Sequence, residues 1–239
     1  MPIKRIYLPT AGPSDWRGLL AEPERHWRTG YSACAFAHDW EETGGLPSEV
    51  LSVITSAFGR IPELIAAFPE HQVPLEGGGR NSQSDLFALL GIGAETAAMT
   101  VEAKVSEPFG PTLAEWTSPL TDGRRVRLAQ INGLLGLPSE LPGCLRYQLL
   151  HRTAAAVLEA SRFRASRAIM IVQSYSPQRL WFDDFAAFAQ LFGILARHDH
   201  LFETRLPSGL PLHLGWITGN PQMLTKPARQ ERVKPAGEA

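Results

Sequence analysis

The sequence predicts an α/β protein whose mixed sheet is covered by helices on both faces. Three observations carry this expectation. Ala168 to Val172 reads Ala-Ile-Met-Ile-Val, the continuous apolar run of a strand buried on both faces. Asp85 to Leu90 and Met99 to Val105 read as two strands joined by the turn-rich Gly91-Ile92-Gly93-Ala94-Glu95-Thr96. In the second half of the chain, strand-like and helical segments alternate.

Taken in order, Ile6 to Leu8 is a short apolar stretch closed by Pro9, expected as an edge strand. From Pro13 the pattern turns helical, with Ser14 as a capping residue and Trp16, Leu19 and Leu20 on one face. A second helix is expected from Ser32 to Glu42, ended by Gly44, Gly45 and Pro47. A third opens at Pro47, where Val50, Leu51, Ile54, Ala57 and Phe58 form a stripe, and a short piece follows at Glu63 to Phe68. Val73-Pro74-Leu75 is a strand candidate before the loop Gly77-Gly78-Gly79. Beyond the two central strands lies a proline-rich loop (Pro108, Pro111, Pro119), then a helix from Leu145 to Ser161. Arg167 to Ser174 is the buried strand, Phe182 to Ala196 a helix, and Leu210 to Thr218 a final strand. The expected organisation is one domain over 1–223: an N-terminal helical extension (1–45), a core (46–175) and a C-terminal helix and strand (176–223). Residues 224–239, polar and carrying Pro227 and Pro235, are expected to be a disordered tail.

Composition excludes several classes. With 44% hydrophobic and 20% charged residues in 239, the chain is neither disordered nor fibrous. A formal net charge of −1 excludes binding of nucleic acid by bulk positive charge, although a local basic groove is compatible with it. Two cysteines, Cys34 and Cys144, are too few for a disulfide scaffold or a four-thiolate zinc site, which points to a reducing compartment. No apolar run approaches the ~20 residues that span a bilayer, and the start of the chain lacks a signal-peptide pattern. A cytoplasmic protein without a membrane partner is expected.

The chemistry concentrates in Ser84-Asp85 and Thr100-Val101-Glu102-Ala103-Lys104. On a strand, alternate side chains face opposite ways, so Thr100, Glu102 and Lys104 share one face, with Glu102 and Lys104 about 7 Å apart. If the two strands pair as a hairpin, Asp85 at the start of the first lies beside Glu102. Two such carboxylates repel unless a proton or cation sits between them. A hard divalent ion suits these oxygen ligands and keeps waters that can act as nucleophiles. Lys104 would then steady negative charge near the reacting phosphate.

Asp85 followed by Glu102-Ala103-Lys104 resembles the Asp…(Asp/Glu)-x-Lys signature of the PD-(D/E)XK nuclease superfamily. Ser84 stands where that motif often has proline. The resemblance covers about residues 46–175 and implies a restriction-endonuclease-like αβββαβ core. It implies Asp85 and Glu102 as ligands of Mg²⁺ or Mn²⁺ and Lys104 as catalytic. Gln148 matches the glutamine that some branches carry on the helix after the lysine strand, and Glu49 or Glu63 would serve where a first-helix acid is used. The implied substrate is nucleic acid, DNA above all, and a homodimer is compatible with the family. The alternative is a catalytically inactive nuclease-like fold that binds or scaffolds. The stretch from Glu102 to Pro111 also resembles uncharacterised bacterial proteins, which imply no substrate.

Other signals have plainer readings. Gly77-Gly78-Gly79-Arg80 lacks the Gly-Lys-Ser/Thr ending of a phosphate loop and is expected to be a flexible approach to the site, with Arg80 and Asn81 near substrate. His151 and Arg152 fit either phosphate contacts or an exposed helix face. His198-Asp199-His200 reads as polar helix termination rather than a metal cluster. The arginines 124, 125, 127, 162, 164 and 167 fit phosphate contacts or solvated charge equally. The six tryptophans read as core and boundary packing, and both cysteines as small buried hydrophobes.

Overall fold

A computed structural model describes residues 6–7 and 10–228. It is α/β, a six-stranded mixed sheet flanked by helices. The helices are α1 (Pro23–His26), α2 (Ser32–Thr43), α3 (Ser48–Phe58), α4 (Leu113–Trp116), α5 (Asp122–Leu135), α6 (Tyr147–Arg162) and α7 (Phe182–Gln190). The strands are β1 (Glu63–Val73), β2 (Ser82–Ile92), β3 (Glu95–Lys104), β4 (Arg167–Ser174), β5 (His200–Arg205) and β6 (Pro211–Thr218). Their order across the sheet is β1-β2-β3-β4-β6-β5. β1, β2 and β3 form an antiparallel meander, and β3, β4 and β6 run parallel.

Period-2 side-chain alternation divides these strands between two cores. Leu86, Ala88, Met99, Val101 and Ala103 pack under α2 and α3, joined by Trp16, Phe36 and Trp40. Phe87, Ala98, Met170 and Val172 face the other way, onto α5, α6 and α7. The apolar run of β4 is buried at every position from Ala168 to Ser174, because both faces are covered. Helix ends follow local chemistry: Gly44, Gly59 and Gly136 adopt left-handed C-caps, and the Thr121 hydroxyl accepts from the Arg124 amide at the start of α5.

Several boundaries differ from the sequence reading. The piece at Glu63 to Phe68 and the candidate at Val73 are a single strand, β1, interrupted in sequence by Pro69. β1 stands at the sheet's edge, where proline's missing N–H does little harm. Asp85 is the fourth residue of β2 rather than its first. The stretch expected as proline-rich loop contains α4 and α5. Gly123, Gly133 and three arginines blur the apolar stripe of α5. α7 stops at Gln190, short of the expected Ala196, and β5 follows it as an edge strand with a largely polar pattern.

The expected edge strand at Ile6 is an isolated bridge to Ala67, and Leu8 lies outside the described residues. The expected tail is packed as far as Ala228. Trp27 Nε1 donates to the Ala228 carbonyl at 2.6 Å, and Lys226 Nζ pairs with Glu42 at 2.5 Å. Residues 229–239 lie outside the description. Cys34 is buried, and burial pushes its thiol up to about 11, but Cys144 is exposed, against expectation.

Candidate functional site

The strand register assembles a row of carboxylates at one end of the sheet. In the β1–β2 ladder Pro69 opposes Leu86 and His71 opposes Ser84, so Glu70 stands opposite Asp85. In the β2–β3 ladder Leu86 opposes Val101, and one step further sets Asp85 opposite Glu102. All three side chains belong to the face under α6. Adjacent strands lie about 4.8 Å apart, which brings three acids into one neighbourhood.

Glu102 is the most enclosed, 3% exposed, and each of its oxygens is held. Oε1 accepts from Lys104 Nζ at 2.6 Å and from Gln148 Nε2 at 2.7 Å. Oε2 accepts from Arg152 Nε at 2.7 Å. Gln148 and Arg152 are four apart on α6 and so share the side turned to β3. Helix and strand are also tied where the Thr100 hydroxyl donates to the Arg152 carbonyl at 3.2 Å. Lys104 is 5% exposed, with its ammonium 5.1 Å from the centre of the Phe109 ring. Asp85 accepts from the Ala103 amide at 2.6 Å through Oδ2. Glu70 accepts from Gln83 Nε2 at 2.7 Å, and its backbone is left-handed, φ 52°, a conformation that costs a non-glycine residue about 1–3 kcal/mol and gathers at functional sites.

Charge is unevenly matched in this row. Burial alone would raise the Glu102 carboxyl, but the Lys104 and Arg152 charges hold it below the ordinary range. Asp85 is pushed up to about 7 by burial and by the Glu102 charge, against the pull of Lys104, Arg152 and the Ala103 amide. Glu70 is raised well above its usual value by burial and by Asp85. Two cations thus serve three acids, and the surplus falls on Asp85 and Glu70.

The sequence-selected residues Asp85, Glu102, Lys104 and Gln148 therefore meet, while neither Glu49 nor Glu63 joins them. Glu49 lies on α3, on the opposite side of the sheet. Glu63 begins β1, seven residues or roughly 23 Å of strand from Glu70. The acid that does stand beside Asp85 is Glu70, hidden by the sequence reading of β1 as two pieces. Arg152 is 8% exposed and bonded to Glu102, so the exposed-face reading fails for it. Its spacing of four from Gln148 was the signal available in sequence.

Beside the row lies a cleft of about 1020 Å³. The glycine loop forms one wall and is not a flexible approach. Arg127 donates to the carbonyls of Leu75, Glu76, Gly78 and Arg80, so this guanidinium clasps the loop and has no role as an open phosphate contact. Gly77, at φ +80°, packs so closely on α5 that a Cβ there would stand 1.9 Å from the Gly123 carbonyl oxygen. Arg80 and Asn81 are exposed on the cleft wall. Two polar chains link this cleft to the acids. One runs Asn81–Gln72–Gln83–Glu70 and the other His151–Ser82–Arg152–Glu102. Burial and the charges of Arg152 and Arg127 hold the His151 imidazole well below its usual value, so it is neutral at pH 7.

The remaining sequence signals are structural. His198 stacks on Phe182 at 3.8 Å, and Asp199 accepts from the Thr218 amide at 2.6 Å, in a segment that joins β6 rather than ending a helix. Arg167 pairs with Glu95, and Arg162 with Glu159.

Among the described residues no group of three or more His, Cys, Asp or Glu is disposed as it stands to hold a metal ion. The donor chemistry nevertheless fits a hard divalent cation: three carboxyl groups against two cations, next to a buried Gln148 Oε1 that has no hydrogen-bond partner among the described residues. Among the described residues, no helix is long and apolar enough to cross a membrane.

Residues 9–221 match DUF6946, a domain of unknown function, and the chain belongs to that family. Neither a curated protein nor a solved structure matches it.

Proposed function

We propose that this protein is a metal-dependent phosphodiester hydrolase of the PD-(D/E)XK type, acting on DNA. The observation that carries the reading is the row Glu70–Asp85–Glu102 closed by Lys104 and Gln148, in which burial and the Glu102 charge push Asp85 up to about 7. The order α3-β1-β2-β3-α6-β4, with α4 and α5 inserted after β3, supports it, since without the insertion it is the αβββαβ order of a restriction-endonuclease-like core. In this reading Asp85 and Glu102 hold Mg²⁺ or Mn²⁺, with Glu70 as a third acid. When bound, such an ion polarises the phosphate and lowers the pKa of its water. Lys104 keeps a positive charge beside the scissile phosphate, in a site where burial strengthens its effect. Gln148 and Arg152 fix the orientation of Glu102, and Gln148 Oε1, without a partner among the described residues, would accept a hydrogen bond from a water at the site.

The test is cleavage of plasmid and single-stranded DNA with Mg²⁺ or Mn²⁺, by wild type and by Glu102→Gln and Lys104→Ala. Each substitution is expected to lower the rate on the order of 10²–10³-fold, the scale for losing one electrostatic group at a reacting centre. Cutting that survives both substitutions overturns the reading. A second reading, a nuclease-like fold that binds without hydrolysis, is favoured by one observation: both oxygens of Glu102 are already engaged by Lys104, Gln148 and Arg152. It predicts no saturable Mn²⁺ binding dependent on Asp85 in calorimetric titration.

A further inference from the structure

We infer that the cleft beside the carboxylate row seats a single nucleic-acid strand, so that the substrate enters as a strand end or an unpaired segment rather than as intact duplex. The inference rests on the hydrolase reading for the identity of the scissile bond, and on the cleft itself for the rest.

Size comes first. A sphere of 1020 Å³ is about 12 Å across, no wider than the major groove of a duplex alone, so a whole duplex does not fit within these walls. A strand of a few nucleotides does. The clasp of Arg127 on four loop carbonyls and the contact of Gly77 with Gly123 keep the wall from widening.

The lining has the chemistry of a nucleotide. Arg80 and Arg124 stand on its walls, placed to meet phosphates. The opposite wall is a pile of flat groups. The Arg124 guanidinium lies 5.4 Å from the Trp116 ring centre, Trp116 stacks on Tyr147 at 3.8 Å, and Tyr147 lies 4.7 Å from His151. Their faces are occupied by one another, so the cleft receives their edges. Tyr147 is 6% exposed, and its hydroxyl is enclosed beside the Arg127 guanidinium. His151, neutral and already bonded to Ser82, offers no competing charge.

Position gives the pocket its purpose. The chains Asn81–Gln72–Gln83–Glu70 and His151–Ser82–Arg152–Glu102 run from the cleft lining to the acids; Gln83 and Arg152 line the cleft and bond Glu70 and Glu102, so one side chain separates a strand in the cleft from the row.

The experiment is equilibrium binding of the full chain in EDTA, so that hydrolysis plays no part. The probes are a 5′-labelled oligothymidylate of four residues, a hairpin duplex of similar charge, and inorganic phosphate as competitor. The expected result is saturable binding of the oligothymidylate, at least about tenfold tighter than the hairpin. Arg80→Ala and Arg124→Ala should each weaken it several-fold, and both losses should shrink as salt rises, because each removes a phosphate contact. Equal affinity for the hairpin, indifference to both substitutions, absence of binding at millimolar probe, or full displacement by an equal concentration of phosphate each overturns the proposal. Failure of the hydrolase reading looks different: the oligothymidylate binds in the cleft, but no metal provokes cutting. Cutting without any cleft dependence leaves the hydrolase reading and removes this one.

Discussion

Two buried polar clusters lie on opposite faces of the sheet, one built on β1, β2 and β3 and the other where α2 meets β4, and they differ in how completely they are satisfied. On the α6 face, Glu70, Asp85 and Glu102 share two cations and leave Asp85 raised to about 7. On the α2 face, Gln173, which pairs with Ala103 across the β3–β4 ladder, donates to Asp39 Oδ2 at 2.8 Å and accepts from Trp40 Nε1 at 3.1 Å. The Tyr175 hydroxyl donates to the same Asp39 oxygen at 2.8 Å. Each of these donors has its acceptor, and Asp39 is pushed up to about 6, chiefly by burial and also by the charges of Glu49 and Glu42. The α2 cluster stitches a helix to the sheet. The α6 cluster retains three acids against two cations, a Gln148 Oε1 unpartnered among the described residues and a left-handed Glu70, features that structure alone does not require.

The largest expected effect breaks the α6 cluster. Glu102→Ala leaves Lys104 and Arg152 buried without their counter-charge, and should destabilise the protein by about 3–5 kcal/mol in urea unfolding. A loss below 1 kcal/mol would mean that water already reaches both cations. On the other face, Gln173→Ala strands Trp40 Nε1 and takes one donor from Asp39, with an expected loss of about 2–3 kcal/mol. Its rate of DNA cleavage per folded molecule should be unchanged. A matching fall in rate would join the two clusters into one site. Gly77→Ala, which forces a Cβ against Gly123 at a left-handed φ, should cost about 1–3 kcal/mol and loosen the cleft wall, to be read as faster hydrogen exchange over 75–80.

The smallest effects sharpen the contrast by pH. Asp39 and Asp85 both hold their proton more tightly folded than unfolded, where each titrates near 3.8. The stability they contribute is full below pH 3.8 and is lost as pH rises, through about 6 for Asp39 and about 7 for Asp85. Asp39→Asn should flatten the lower part of that decline, and Asp85→Asn the whole span up to about pH 7. At pH 7.5, millimolar Mn²⁺ should raise the melting temperature of wild type and Asp39→Asn but not of Asp85→Asn. An equal response in all three proteins places any bound metal away from the α6 face.

The α6 cluster was partly legible in the sequence because its members are linked by local periods. Glu102 and Lys104 are two apart on a strand, and the glycine-rich turn after Leu90 brings Asp85 back beside them. Gln148 came with the resemblance. Glu70 was invisible because Pro69 and the polar His71-Gln72 disguise an edge strand, whose solvent-facing side carries no apolar alternation. The cleft was invisible for another reason. Arg127 reaches carbonyls some fifty residues earlier in the chain, and α5 itself was masked by its glycines and arginines.

By itself, the sequence determined the α/β class, the buried parallel strand at Ala168–Val172 and the common face of Thr100, Glu102 and Lys104, since side-chain alternation needs only neighbouring residues. Tertiary structure alone decided that Glu70 stands opposite Asp85, that Arg152 neutralises Glu102, and that a clasped glycine loop walls a cleft beside them. Those contacts join segments distant in the chain, and which distant faces meet is settled by burial of the whole sheet, not by any local period.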